Sequence, residues 1–140
     1  MKKVVLSMIL ASVISSAAFA QKGEVNDAKK KWEFYYALGR TGLISKRIDQ
    51  LKIIIAHTDK AIANEDSKIM PAAWGYRALA ASEIAISDTS NLENINANLK
   101  IAKDALKEIK PIDPKNTQKD NVKLAKANIE VAVRNAGIIA

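Results

Sequence analysis

One histidine, no cysteine, and fifteen acidic against twenty-two basic side chains limit the chemistry open to this 140-residue chain. A catalytic base needs a placed nucleophile, and a metal ion needs several convergent donors. His57 stands alone beside an apolar helical stripe, where it reads as an ordinary helix-surface residue. Glu65-Asp66 is the densest acidic pair, but it falls in a polar turn where solvation explains it. No glycine-rich loop is present to cradle a phosphate. Catalysis is not expected, and neither a cofactor nor a metal is implied.

The first twenty residues have the layout of a secretory signal. Lys2 and Lys3 precede an apolar run from Val4 to Ile14, and small side chains stand at Ala18 and Ala20. Cleavage is expected after Ala20, which would expose Gln21. The run is interrupted by Ser7 and Ser12 and is shorter than the roughly 20 residues needed to span a bilayer, so no stable membrane span is expected once the signal is removed. Removing twenty residues, Lys2 and Lys3 among them, leaves 120 residues in one domain and lowers the net charge from +7 to +5. The remaining lysines are scattered at helical spacing without interleaved aromatics, which argues against nucleic-acid binding; a weak attraction to acidic surfaces or partners is compatible with them. Without cysteine, an exported chain must hold itself together by helix packing.

Apolar residues recur at spacings of three and four rather than two, so the fold class is all-α with about five helices. The first is expected over Asn26 to Leu38, with Asn26 as N-cap and Gly39 and Gly42 ending it; Val25, Ala28, Trp32, Tyr35 and Tyr36 mark its apolar side. The second, Ser45 to Asn64, carries Ile44, Ile48, Leu51, Ile55, Thr58 and Ile62 as a stripe widened by Ile54 and Ala61. Pro71 suits the first turn of the third helix, which runs to Ser87 and is rich in small residues. Small side chains let neighbouring helices approach, so this helix should be central, with Trp74 as its large anchor.

Ser90 and Glu93 have capping-box spacing and start the fourth helix, whose stripe is Leu92, Ile95, Leu99, Ala102, Leu106 and Ile109 before Pro111 and Pro114 stop it. Thr117 with Asp120 is a weaker box for a fifth helix over about 118–136, with Val122, Ala125, Ile129, Ala132 and Ala136 apolar. Gly137-Ile138-Ile139-Ala140 either docks on the last hairpin or leads into further chain.

Trp32 can be laid on Trp74, Phe34 on Tyr76 and Leu38 on Ala80, a spacing of 42 residues, and Ala61 answers Ala105 at 44. Periods of about 20–50 residues are those of helical arrays. With Ala73-Trp74, Ala78 and Ala81, then Ala105-Leu106 and Asp113-Pro114, the chain resembles the tetratricopeptide repeat family. It departs from that family in having Arg77-Ala78 where a Leu-Gly pair is usual, and in units longer than about 34 residues.

The resemblance implies antiparallel helical hairpins, about 26–64 and 71–110, stacked as a short right-handed array with the last helix as cap or third-repeat start. Trp32, Trp74, Ala78 and Ala105 would be structural anchors. It also implies a concave peptide groove lined by Glu33, Phe34, Ala37 and Arg40 from the first hairpin, and by Gly75, Tyr76, Arg77, Leu79, Ser82 and Glu83 from the second. A groove arginine, Arg40 or Arg77, could take a carboxylate in a two-pronged contact; the plain alternative is that both are solvated helix residues.

The expected role is an exported interaction module or scaffold in the bacterial envelope, whose partner is another envelope protein or peptide segment. Two alternatives stay open: a small basic periplasmic holdase of the Skp type, which would need long uninterrupted helices, and the N-terminal piece of a longer repeat array.

Overall fold

A small-residue helix sits at the centre of the chain, and the others are arranged against it. The computed structural model describes residues 22–139, so the expected signal segment lies outside the described residues. Five helices, with no strand among the described residues, make the protein all-α: α1 (22–37), α2 (Ile44–Ile62), α3 (Pro71–Ser87), α4 (Leu92–Ile112) and α5 (Lys119–Ile139). α3 packs on α2, α4 and α5, and one core cluster joins it to α1 through Ala28, Trp32 and Tyr35.

Eleven of the seventeen α3 residues are buried, most of them Ala, Gly or Ser. Their small side chains allow helices to close in from several sides. At Gly75 the approach is close enough that an added Cβ would lie 2.2 Å from Gln118 Oε1. Larger apolar groups fill the remaining space from the neighbours. Leu51 and Ile54 of α2, Leu79 of α3 and Ile95 of α4 are fully buried, each stabilising the fold by roughly 1.5–3 kcal/mol.

The helix ends follow local chemistry, with some shifts from expectation. α1 already includes residue 22, so Asn26 is an exposed interior residue rather than an N-cap. Gly39, Arg40 and Gly42 all adopt positive φ (63°, 60° and 89°), which turns the chain sharply after α1. α3 begins with Pro71 at its first position, and Trp74 Nε1 donates to the Lys68 carbonyl at 2.6 Å, pinning the preceding loop. α4 is capped by Asn91, not Ser90: the Asn91 side chain accepts from the N–H groups of Glu93 and Asn94, while Ser90 donates to Asp88. Pro111 lies in the last turn of α4, which ends one residue later. The start of α5 is held by Asp113, whose carboxylate accepts from the N–H groups of Thr117 and Gln118 and from the Thr117 hydroxyl.

Burial rotates the expected stripes slightly. On α2 the buried set is Leu51, Ile54, Thr58 and Ala61, and Ile44 is exposed. On α1 Val25, Ala28, Trp32 and Tyr35 are buried but Tyr36 faces outward. On α5 the buried positions are Ala125, Asn128 and Ala132, and Ile138 is exposed, so it does not dock. The matched positions of the two sequence units share less environment than residue type. Trp32 and Trp74 are both largely covered, but Phe34 and Leu38 are exposed where Tyr76 and Ala80 are buried. The difference follows from position: α1 buries one face, whereas α3 is enclosed.

Candidate binding cleft

Two adjoining hollows, about 430 and 450 Å³, share Tyr36 and Leu124 and form one cleft between α1 and α5 with α3 behind it. Tyr36 is 65% exposed and stacks on buried Trp32, with ring centroids 6.0 Å apart and planes inclined at 29°. Trp32 packs in turn on Tyr35 at 5.6 Å. The wall of the first hollow is therefore a fixed aromatic surface facing Leu124 and Ala127, with Asp120, Asn121 and Lys123 as the polar side chains of α5.

The second hollow ends on a buried polar network centred on Glu83. Arg40 donates to Glu83 Oε1 through Nε at 2.5 Å and to Oε2 through Nη2 at 3.0 Å. The Tyr35 hydroxyl donates to Oε1 at 3.1 Å and Asn128 Nδ2 to Oε2 at 3.1 Å. These four bonds occupy the roughly four lone-pair sites of a carboxylate, leaving it no free acceptor for general-base work. Burial is the main reason that the Tyr35 phenol is pushed up to about 12, followed by the Glu83 charge and hydrogen bond. The Glu83 hydrogen bond raises the Arg40 guanidinium further above its already high value, against a smaller opposing effect of burial.

Arg40 reaches Glu83 from the left-handed turn after α1, and Arg47 Nη1 donates to the Arg40 carbonyl at 2.6 Å to brace that turn. Arg47 Nε is buried without a hydrogen-bond partner among the described residues. The cleft can therefore bind by shape and apolar contact over a rigid, internally neutralised base.

The structure separates the sequence-predicted groove residues. Arg40 and Glu83 come together as the buried-to-surface pair, although the sequence gives no direct sign of their pairing. Leu79 and Ser82 are fully buried, and the Ser82 hydroxyl donates to the Leu79 carbonyl, so neither meets solvent. Tyr76 and Gly75 are also buried; Tyr76 belongs to the central core cluster and Gly75 to the close approach with Gln118. Glu33 is exposed and pairs with Lys29 at 3.8 Å, and Ala37 is exposed at the end of α1. Phe34 faces a separate small hollow with Lys31, Gln50 and Ile53. Arg77 points the other way, bonding Asp59 and, at 3.2 Å, the Thr58 hydroxyl.

Of the anchors, Ala78 and Ala105 are buried in the same core cluster as Trp32, and Trp74 packs against it. His57 Nδ1 lies 2.5 Å from Glu24 Oε2, and Lys60 lies 3.4 Å from the other oxygen, so the histidine fastens α2 to α1. The His57 hydrogen bond holds the Glu24 carboxyl below the usual range, against the opposing effect of burial.

Sequence reasoning missed Leu124, Lys123 and Asn128. Asn128 had a usable signal: it falls on the Ala125 and Ala132 stripe of α5, where a polar side chain requires a partner. Leu124 sits one position beside that stripe and had none.

Among the described residues, no helix is long and apolar enough to cross a membrane, and no group of three or more His, Cys, Asp or Glu side chains is placed to hold a metal. The class defined by fold and cleft is a five-helix all-α protein with an aromatic-walled surface cleft. No protein-family model, curated protein or solved structure matches the chain. The functional reading therefore rests on the cleft.

Proposed function

We propose that this chain is an exported helical-repeat protein that acts as a protein–protein interaction module in the bacterial envelope, holding an extended peptide segment in the α1–α5 cleft. The observation that carries the reading is Tyr36, a large aromatic left exposed over buried Trp32 and facing Leu124 across an open channel. Exposed aromatics over a fixed base are the side chains that anchor partners at low entropic cost.

The order of contacts supports stacked hairpins, with α1, α3 and α5 together bounding the cleft as the first helices of successive units would. The longest described helices have 21 residues, which favours this module over a holdase built on long arms. The role is non-catalytic, with Glu83 serving as a positioning residue.

Selection of displayed peptides on residues 21–140 tests the proposal. Selected peptides are expected to lose about tenfold in affinity with Tyr36→Ala, about 1.4 kcal/mol, and to be unaffected by Phe34→Ala. Peptides indifferent to Tyr36→Ala would show that the cleft is not the binding surface.

A further inference from the structure

A second cleft lies on the other flank of α5, and its charge is unlike that of the first. From Lys100 to Lys126 the chain carries eight lysines against Asp104, Glu108, Asp113 and Asp120, a net +4 out of the +5 outside the first twenty residues. Two of those acids are already engaged. Asp113 is turned inward onto Thr117 and Gln118, and Asp104 pairs with Lys100 at 2.6 Å.

The positive charge borders a hollow of about 380 Å³ between α4 and α5. Leu106, Ile109 and Val122 form its floor, the exposed side chains of Lys110, Lys119 and Lys126 stand around it, and Asn116 and Asp113 complete the lining, the Asp113 carboxylate being taken up by Thr117 and Gln118. Helical spacing adds Lys103, three residues before Leu106, to the same flank. Among the described residues none of these four lysines makes an ion pair. Unpaired like charges gathered around an apolar floor repel one another, and an anionic partner would relieve that repulsion.

We propose that the α4–α5 cleft binds an acidic, extended segment of a partner protein, with one apolar side chain seated on Leu106, Ile109 and Val122 and flanking carboxylates on the lysines. Three features select a protein segment over a lipid surface. The apolar floor is concave, so a side chain can enter it while a flat bilayer surface cannot. The turn at this end, Asp113-Pro114-Lys115-Asn116-Thr117, has no large apolar residue to insert into a membrane. Lys119 and Lys126 are seven residues apart on α5, roughly 10 Å along the axis, which matches about three residues of extended chain. Carboxylates three positions apart, bracketing an apolar residue, fit that interval. The inference goes beyond the α1–α5 cleft and does not depend on it.

Fluorescence anisotropy on residues 21–140 decides the matter, using a labelled heptapeptide with Leu at its centre and two Glu on either side. The Leu peptide is expected to bind about tenfold or more tightly than the same peptide with a central Gly, because only the former fills the apolar floor. Lys110→Glu and Lys126→Glu should each weaken binding by about tenfold, Lys52→Glu on α2 should leave it unchanged, and so should Tyr36→Ala. Circular dichroism confirms that each variant keeps its helix content. Equal binding of the Leu and Gly peptides would reduce the effect to diffuse attraction and overturn the proposal. Binding to phosphatidylglycerol vesicles with no binding of the peptide would overturn it in favour of a lipid surface.

Discussion

Arg40 and Glu83, 43 residues apart, meet through two parallel N–H···O contacts, with the guanidinium half exposed and the carboxylate sealed. Removing the arginine leaves a buried carboxylate served only by Tyr35 and Asn128. Arg40→Ala is expected to cost roughly 2–4 kcal/mol in urea unfolding, somewhat below the full effect of breaking a wholly buried pair, because water can reach the vacated side. Arg40→Gly should lose about 1 kcal/mol less, since glycine adopts the turn's positive φ without strain. Equal losses for the two variants would show that the turn itself contributes nothing.

Tyr35 gives the fold an alkaline limit. Its phenol is pushed up to about 12 from the usual 10, first by burial and then by Glu83. A folded value above the unfolded one means that the neutral phenol is favoured in the fold. This stabilisation is complete below pH 10 and is lost as pH rises towards and through 12. Wild-type unfolding free energy should therefore fall across that window, and Tyr35→Phe should flatten the decline. An unchanged slope in Tyr35→Phe would assign the alkaline loss to other groups.

Asp113 acts at the opposite end of the pH range. Burial pushes its carboxyl up, but the N–H groups of Gln118 and Thr117 and the Thr117 hydroxyl outweigh it, and the net direction is below the usual 3.8. Its contribution is thus present above about pH 3.8 and lost as pH falls through the lower folded value. Asp113→Ala should lower the melting temperature at neutral pH and speed amide exchange at Thr117 and Gln118. It should also remove part of the acid-induced loss of stability seen in the wild type.

Gly75 and Gln118 should show strong coupling. An alanine at 75 would gain up to about 1 kcal/mol in helix propensity, but its Cβ would displace the Gln118 carboxamide, which also accepts from Asn121 at 2.7 Å. Gly75→Ala alone is expected to give no net gain. In a Gln118→Ala background the same change should stabilise by about 0.5–1 kcal/mol, read from a double-mutant cycle of denaturation midpoints.

The elements were legible because their signals are local. Pro71, the small residues up to Ser87 and the 3-4 stripe of α4 each declare a helix without reference to the rest of the chain. Caps were less legible: Ser90 has the right spacing, yet Asn91 one residue later takes the position, and Asp113 rather than Thr117 serves α5. The cleft was hardest to read. It depends on which side of α1 faces α5, and a difference of one position decides whether Tyr35 or Tyr36 meets solvent. Glu83 among small residues was a sign of a buried polar centre, but its partners lie 43, 45 and 48 residues away, beyond any periodic pattern.

The enclosure of α3 also bears on how this sequence can drift. With eleven of its seventeen positions buried and close neighbours at Gly75, nearly every enlargement there meets another helix, whereas the outer face of α4 accepts almost any polar residue. Over generations the chain can therefore rewrite its exterior outside the two clefts while α3 stays nearly fixed. A distant relative should be recognisable first by the run from Pro71 to Ser87.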